Sequence, residues 1–333
     1  MRKATQKSLK KISTTKQILT LGKHARNVIQ EQYQQIIKYE KKVLTDQDPE
    51  NLHRMRVATR RLRTALQVFQ ETIALPKAAS EKRLSALAKV LGKLRDLDVQ
   101  IADLETNYRL QLDLNEQGLV DEAIAVLEKH RIKAFAGVKS ALKRSHYKSL
   151  KEAYHTWLET PQYTTISPLL LLPHIPDLLS PLLASLLLHP GWLISAEQIS
   201  AENSSVLHDL RKACKRARYQ AEFFMDFYPK SFQKWANEIK AIQDDLGKLH
   251  DTEVLRSLLL SKLSPASQAQ LEAVMQQAQA EALSTWEATR QKYLEPAFRL
   301  NLYQMLLEPL STLTSHLSEV TNAEMPNAVA LTK

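Results

Sequence analysis

The segment 53–63, His-Arg-Met-Arg-Val-Ala-Thr-Arg-Arg-Leu-Arg, combines side chains that bind anions with side chains that pack in a core. It contains five arginines and has no acidic residue, glycine or proline. On a helix, at about 100° per residue, four of its polar side chains fall within an arc of roughly 80°: His53, Arg56, Arg60 and Arg63. Arg61 flanks this arc, and Met55 and Leu62 lie opposite. The segment therefore predicts a helix with one face for packing and one for anions.

The same pattern recurs 155 positions later, in the segment 207–218. His208 corresponds to His53, and the cations of the second copy are Arg211, Lys212, Lys215, Arg216 and Arg218. Over 52–99 and 207–254, fourteen of forty-eight positions are identical without a gap. A solvated charged face is the usual fate of one basic helix, but recurrence at a fixed offset predicts an internal duplication with an anion-binding role in both copies.

A second block obeys the same offset and adds further cations. The sequence Leu-Gly-Lys-Leu-Arg-Asp at 91–96 corresponds to Leu-Gly-Lys-Leu-His-Asp at 246–251. Its candidate anion ligands are Lys93, Arg95, Lys248 and His250. The paired glycines, Gly92 and Gly247, lie inside helical patterns, where glycine costs about 1 kcal/mol, so they predict a close helix crossing or a kink. The neighbouring acids could bind metal, but ion pairing with the arginines is the simpler interpretation. They are Asp96, Asp98, Asp251 and Glu253.

These motifs resemble those of the CHAD family, the conserved-histidine α-helical domain. His-x-x-Arg-Val-x-x-Arg-Arg-x-Arg matches at 53–63, and the second-half signature matches at 208–219. Leu-Gly-x-x-Arg-Asp-x-Asp-Val matches at 91–99, whereas its second copy has His250 for the arginine and Glu253 for the last acid.

The resemblance implies an all-α fold of two four-helix-bundle halves related by a pseudo-twofold, with a basic central channel that binds inorganic polyphosphate. It implies a domain over 15–310, with a first half at about 15–158, a connector at about 160–191 and a second half at about 192–310. Many relatives carry an additional triphosphate-hydrolysing domain, for which this chain has no room, so a stand-alone binding module without cofactor or metal is expected.

Composition supports an all-α protein with an anionic partner. Of 333 residues, 44% are hydrophobic and only six are glycine, and periods of 3.6 dominate over strand-like alternation. The net charge of +10 favours polyphosphate, nucleic acid or an acidic membrane surface. The single cysteine, Cys214, is expected to be buried and inert, in a reducing compartment. We therefore expect a cytoplasmic protein, and association with polyphosphate granules is a further hypothesis.

Helical periodicity predicts the remaining elements. Expected helices cover 16–44, 49–72, 77–94, 119–145, 195–228, 231–260, 266–293 and 297–318, with a break at 115–118 and disordered tails at 1–14 and 321–333. His24 and Arg26 are expected on the solvent side of the first helix, and Arg131 on a further basic surface. The leucine-rich connector is interrupted by Pro173, Pro176 and Pro181, which argues against membrane insertion and favours a short packed helix or a cover for a bundle end.

Two other function classes remain open at this point. A nucleic-acid binder is possible because any dense basic helix attracts phosphodiesters, but the signature faces lack an aromatic stacking platform apart from Tyr219. A metal-dependent phosphate-ester enzyme is less consistent with the sequence, which contains no phosphate-binding glycine loop, His-Glu-x-x-His motif or nucleophile elbow. Non-catalytic polyphosphate binding is the leading hypothesis.

Overall fold

The fold is all-α, as predicted. The computed structural model describes residues 19–111, 114–259 and 265–309, which form eleven α-helices joined by turns, 3-10 segments and a π-helical segment at Leu104–Tyr108. Within these ranges the only β pairings are two isolated bridges, Thr20 with Leu170 and Ile73 with Tyr163. The tails predicted at 1–14 and 321–333, and the end of the helix predicted at 297–318, lie outside the described residues.

The first part of the fold contains five helices: α1 Leu21–Thr45, α2 Pro49–Val68, α3 Glu81–Asp103, α4 Leu114–Lys143 and α5 Ser145–Glu159. Helices α2, α3 and α4 each pack against the preceding helix. Asp48 caps α2 by accepting a hydrogen bond from the Glu50 amide, and Pro49 occupies the first helical position, as predicted. The break predicted at 115–118 is wrong, because α4 continues through Gly118. Burial of the next turn, beginning at Val120, outweighs the poor helix propensity of glycine.

The second part contains six helices: α6 Leu171–Leu187, α7 Ser204–Glu222, α8 Lys230–Leu259, α9 Pro265–Leu283, α10 Trp286–Leu294 and α11 Pro296–Leu307. Neighbours from α6 to α9 pack in chain order, as α1 to α4 do, and α2 contacts α7. The continuous helix predicted at 195–228 is wrong, because 3-10 turns at Ala196–Gln198 and Ala201–Asn203 precede α7. The helix predicted at 266–293 is interrupted between α9 and α10, where the Trp286 indole donates to the Ile194 carbonyl.

The leucine-rich connector forms a packed helix, one of the two outcomes expected for it. Helix α6 contains Pro176 and Pro181 and packs against α7 and α11. By length and composition the stretch Leu171–Leu193 could also cross a membrane. However, Ile175, Leu179, Leu183 and Leu186 are buried in the core. This packing gives the apolar composition of α6 a structural explanation.

The two parts of the fold meet around a buried histidine, which corrects the expectation of an exposed His24. Its Nε2 lies 3.0 Å from the Phe223 carbonyl oxygen, and its ring contacts Phe69, Phe224 and Phe227. His24 follows Leu21 by three positions, so helical register places both on the buried face of α1. Burial lowers the pKa of His24 to about 4, so its imidazole is neutral at pH 7.

Arg26 is also only partly exposed, contrary to expectation. Its guanidinium donates to the Leu158 carbonyl at the end of α5, with Nη2–O and Nε–O distances of 2.7 and 3.1 Å. Carbonyls in the last turn of a helix lack partners within the helix. Arg26 therefore serves as a side-chain cap that fastens α5 to α1.

Candidate anion-binding site

A cleft of about 830 Å³, the central cleft, lies between α2 and α3 on one side and α7 and α8 on the other. Among the described residues, ten lysine or arginine side chains line it, together with four aspartates and two histidines. The cations are Arg56, Arg60, Arg63, Lys89, Arg95, Arg211, Lys212, Lys215, Arg218 and Lys240. With neutral histidines, the lining is therefore strongly positive.

The structure brings most of the predicted site residues together in this cleft. Helix α2 contributes the N-terminal basic face, defined as His53, Arg56, Arg60 and Arg63; helix α7 contributes the C-terminal basic face, defined as His208, Arg211, Lys215 and Arg218. Lys212 and Arg95 also line the cleft. The opposite side of each helix packs in the core, where Met55 and Leu62 of α2 and Leu210 and Ala217 of α7 are buried. The division of each helix into two faces is therefore as predicted.

Four of the predicted residues lie outside the central cleft. Arg61 pairs with Glu222 at 3.0 Å, and Lys93 lines a separate groove between α3 and α4. Arg216 and Lys248 are both exposed, and Lys248 Nζ lies 3.9 Å from Asp245 Oδ1. A fifth predicted residue, His250, belongs to α8, but its side chain lies outside the described part of the structure.

Carboxylates hold several cleft arginines in place. Arg56 Nη2 lies 3.3 Å from Asp96 Oδ1, which confirms the predicted pairing of Asp96 with a signature arginine. Arg63 donates from both Nε and Nη2 to Glu81 Oε1, at 2.8 and 2.6 Å. At the matching position of the other face, Arg218 lies 3.6 Å from Glu222. These pairs limit the orientations of the guanidinium groups, which reduces the entropy lost when they bind an anion.

Asp98 does not pair with a signature arginine, contrary to expectation. Its Oδ1 accepts from Arg131 Nε at 2.7 Å, and the same guanidinium contacts both carboxylate oxygens of Asp46 at 2.7 and 2.8 Å. The prediction that Arg131 belongs to an open basic surface is therefore wrong. It fixes α4 against α3 and against the turn that joins α1 to α2.

An arginine side chain lies close to the backbone at each of the paired glycines, Gly92 and Gly247. A Cβ at Gly92 would lie 3.6 Å from Arg56 Nε, and a Cβ at Gly247 would lie 3.2 Å from both Nε and Nη2 of Arg211. The sequence predicted a close helix crossing or a kink at these glycines, whereas the close approach found there is between a helix backbone and a guanidinium. Both glycines are in α-helical segments, so local packing explains them without any need for a positive backbone φ.

Burial, together with the crowding of positive charge, lowers the pKa of several cleft side chains. Burial and the nearby Arg211, Arg60 and Arg56 lower the pKa of Lys215 to about 7, although Asp251 partly opposes them. Burial and Arg95 lower the pKa of His53. Burial also lowers the pKa of Arg60, whose guanidinium lies 5.8 Å from the Tyr219 ring centroid. The ligand-free cleft therefore disfavours further positive charge, which an anion would stabilise.

Some cleft residues were not predicted from the signature motifs. Helix α3 contributes Ser85, Lys89 and Asp103 at helical spacing from Asp96, and α8 contributes Lys240, Gln243 and Asp244. The offset of 155 relates Ser85 to Lys240 and Lys89 to Asp244. Extending the helical register of the Leu-Gly block by two to three turns would have identified these positions.

Cys214 is buried as predicted, and burial raises the pKa of its thiol to about 12. It belongs to the packing side of α7, whose neighbours Leu210, Ala213 and Ala217 are also buried. Because thiolates rather than thiols are nucleophiles, this position favours a structural role.

Comparison with known structures supports the fold assignment. A crystal structure of the CHAD domain from the plant Ricinus communis has 25% sequence identity and a TM-score of 0.55, covering 88% of this chain and 93% of that chain. PptA from Streptomyces chartreusis has 12% identity and a TM-score of 0.59, covering 83% of this chain and 99% of that one. Among curated proteins, none matches the sequence significantly.

The CHAD domain family model matches residues 27–260. This region contains both basic faces and every described residue that lines the central cleft. The chain belongs to the CHAD family.

Proposed function

We propose that this protein binds inorganic polyphosphate in the central cleft and does not hydrolyse it. The observation that carries the proposal is that two matched basic helices, α2 and α7, face one cleft with ten lysine or arginine side chains and four aspartates. Such a surplus of positive charge costs free energy in the absence of a counter-charge. A polyanion would remove this cost on binding.

The types of cation in the cleft suit a chain of phosphates. Arginine offers a planar fork of N–H donors for two oxygens, whereas lysine offers a compact point charge. The array from His53 to Arg63 is about 15 Å long at 1.5 Å per residue, so one face can contact several successive phosphates. A chain lying between both faces would also lower the repulsion between Lys215 and the three arginines that contribute to its lowered pKa, which are Arg211, Arg60 and Arg56.

Polyphosphate fits this lining better than nucleic acid. Proteins that bind single strands commonly stack bases on exposed aromatic rings. Among the described cleft residues the only phenylalanine, tyrosine or tryptophan is Tyr219, which is 6% exposed. Its ring lies near the guanidinium groups of Arg218 and Arg60, at 4.7 and 5.8 Å. A polymer without bases needs no stacking surface and can use every contact for phosphate.

A binding role without turnover is also part of the proposal. The sequence lacks the common phosphate-transfer motifs, and Asp96, one of the cleft acids, is paired with Arg56. We further propose that the protein is cytoplasmic and can associate with polyphosphate granules. Nucleic acid and hydrolysis are the alternatives to be tested.

The test is a titration at fixed salt with polyphosphate, duplex DNA, RNA and ATP, each at the same phosphate concentration, with orthophosphate release measured in parallel. We expect polyphosphate to bind most tightly, and no release with or without Mg²⁺ or Mn²⁺. Lys215→Gln should weaken binding, whereas the control Lys248→Gln, outside the cleft, should not. Tighter binding of DNA or RNA, or steady release of orthophosphate, would contradict the proposal.

A further inference from the structure

A second groove, the side groove, lies beside the central cleft along α3. It has a volume of about 1030 Å³ and runs between α3 and α4. Five of its side chains are lysine, arginine or histidine, and one is acidic; they are Lys89, Lys93, His130, Lys133, Arg144 and Asp96. Among the described residues, neither Lys93, Lys133 nor Arg144 forms an ion pair with a carboxylate. The groove thus presents cations that the fold leaves uncompensated.

The side groove is continuous with the central cleft across α3. Lys89, Asp96 and Gln100 line both cavities. Between them, Gly92 lines the groove, and the site of its missing side chain is 3.6 Å from Arg56 Nε on the cleft side. Helix α3 therefore has no projecting side chain at the point where a cleft arginine approaches it. An anionic chain leaving the cleft over this point meets Lys89 and then the cations of the groove.

The shape of the groove arises from small residues on α4. Ala134, Gly137, Ser140 and Ala141 recur at helical spacing on the side that faces α3. A Cβ at Gly137 would have no atom within 4 Å, so space is open at the middle of the groove. Arg131 fixes this wall through Asp46 and Asp98, so the groove is held open by ion pairs as well as by side-chain size.

We infer that the side groove binds the part of a long polyphosphate chain that extends beyond the central cleft. This inference rests on the proposed function and adds a length preference to it. Lys93, Lys133 and Arg144 contact successive phosphates after the chain crosses α3 at Gly92. A short polyphosphate fills only the central cleft and gains nothing from these residues.

The experiment compares tripolyphosphate with long-chain polyphosphate, using two groove variants and matched controls. Lys133→Gln with Arg144→Gln removes two groove cations, whereas Lys129→Gln with Lys143→Gln removes two exposed cations near the same helix that do not line the groove. Gly137→Glu places a carboxylate in open space within the groove, and Gly137→Ala is its control. Thermal unfolding of every variant checks that the fold is retained.

We expect both groove variants to bind long-chain polyphosphate about tenfold more weakly than wild type, as for loss of one charge-assisted contact. Their affinity for tripolyphosphate and the affinities of both controls should be unchanged. Equal loss in the groove and control pairs, or long-chain affinity that is unaltered in the groove variants, would overturn the inference while leaving polyphosphate binding intact. If wild type binds neither polymer, the proposed function itself fails.

Discussion

Lys215 makes a quantitative prediction about how ligand binding depends on pH. Its amine lies in the cleft, where burial and three arginines lower its pKa to about 7. At pH 8, roughly nine-tenths of these amines are neutral in the ligand-free protein. Bound polyphosphate should raise the pKa by favouring the charged form. The complex therefore holds more protons than the free protein above pH 7.

The sign and the size follow from linkage between proton and ligand binding. Affinity should fall as pH rises above 7, by at most about tenfold per pH unit, until the pH exceeds the pKa of Lys215 in the complex. At pH 8, binding should take up as much as about 0.9 proton per site. Burial lowers the pKa of His53 below its usual value of 6.5 in the free protein, so a bound anion must raise that pKa by more than one unit before His53 contributes at pH 8. The thiol of Cys214 does not titrate in this range, since its pKa is about 12.

Calorimetry in two buffers of different ionisation enthalpy at pH 8 measures the proton uptake directly. Lys215→Arg keeps the positive charge at every pH and should abolish both the uptake and the corresponding slope of affinity between pH 7 and 9. Lys248→Arg, outside the cleft, should behave as wild type. If wild type takes up no proton, or if Lys215→Arg keeps the same pH slope, then our reasoning about charge crowding at Lys215 is wrong.

Three further predictions concern salt, folding and the glycines. Affinity for polyphosphate should fall steeply and linearly on a log–log plot against salt, with about one counterion released per contacted cation by analogy with DNA; a flat response in equilibrium titrations would contradict a multi-cation site. Because the pKa of His24 falls from 6.5 unfolded to about 4 folded, the free energy of unfolding should decrease by up to about 1.4 kcal/mol per pH unit as pH falls from 6.5 to 4. Denaturant titrations should show a smaller decrease for His24→Gln, and an identical decrease would exclude His24 as the cause. Gly92→Ala should preserve affinity for tripolyphosphate, which does not cross α3, and should stabilise the fold by about 0.5–1 kcal/mol, whereas Gly247→Ala, with a 3.2 Å contact to Arg211, should weaken tripolyphosphate binding; equal affinities of the two variants would argue against that contact.

The sequence predicted the features that depend on periodicity within one helix. The spacing of His53, Arg56 and Arg60 established a basic face on α2, and the fixed offset predicted the corresponding face on α7. Both faces line the central cleft. The same periodicity, extended along α3 and α8, would have predicted Lys89 and Lys240. Such residues could be predicted because their neighbours along one helix determine which way they point.

Features that depend on contacts between distant segments could not be predicted in this way. Nothing near His24 in the sequence indicates that Phe223, 199 positions later, supplies its carbonyl partner. Arg131 was assigned to a basic surface because Asp46 and Asp98 are distant in sequence. Helix ends were also misplaced where tertiary packing outweighs local propensity, as at Gly118. The repeat itself remains a prediction of the sequence.

The central claim, that both basic faces bind the same polyphosphate chain, is tested most directly by deleting one face at a time. The first variant is Arg56→Ala with Arg60→Ala, the second is Arg211→Ala with Lys215→Ala, and the third combines all four changes. The affinity of each for long-chain polyphosphate is measured alongside thermal unfolding. We predict that either pair weakens binding by about tenfold or more, that the combined loss exceeds the loss expected from two independent sites, and that every variant remains folded, because these side chains lie opposite the buried Met55 and Leu210. Unchanged long-chain affinity after deletion of either face would contradict the claim.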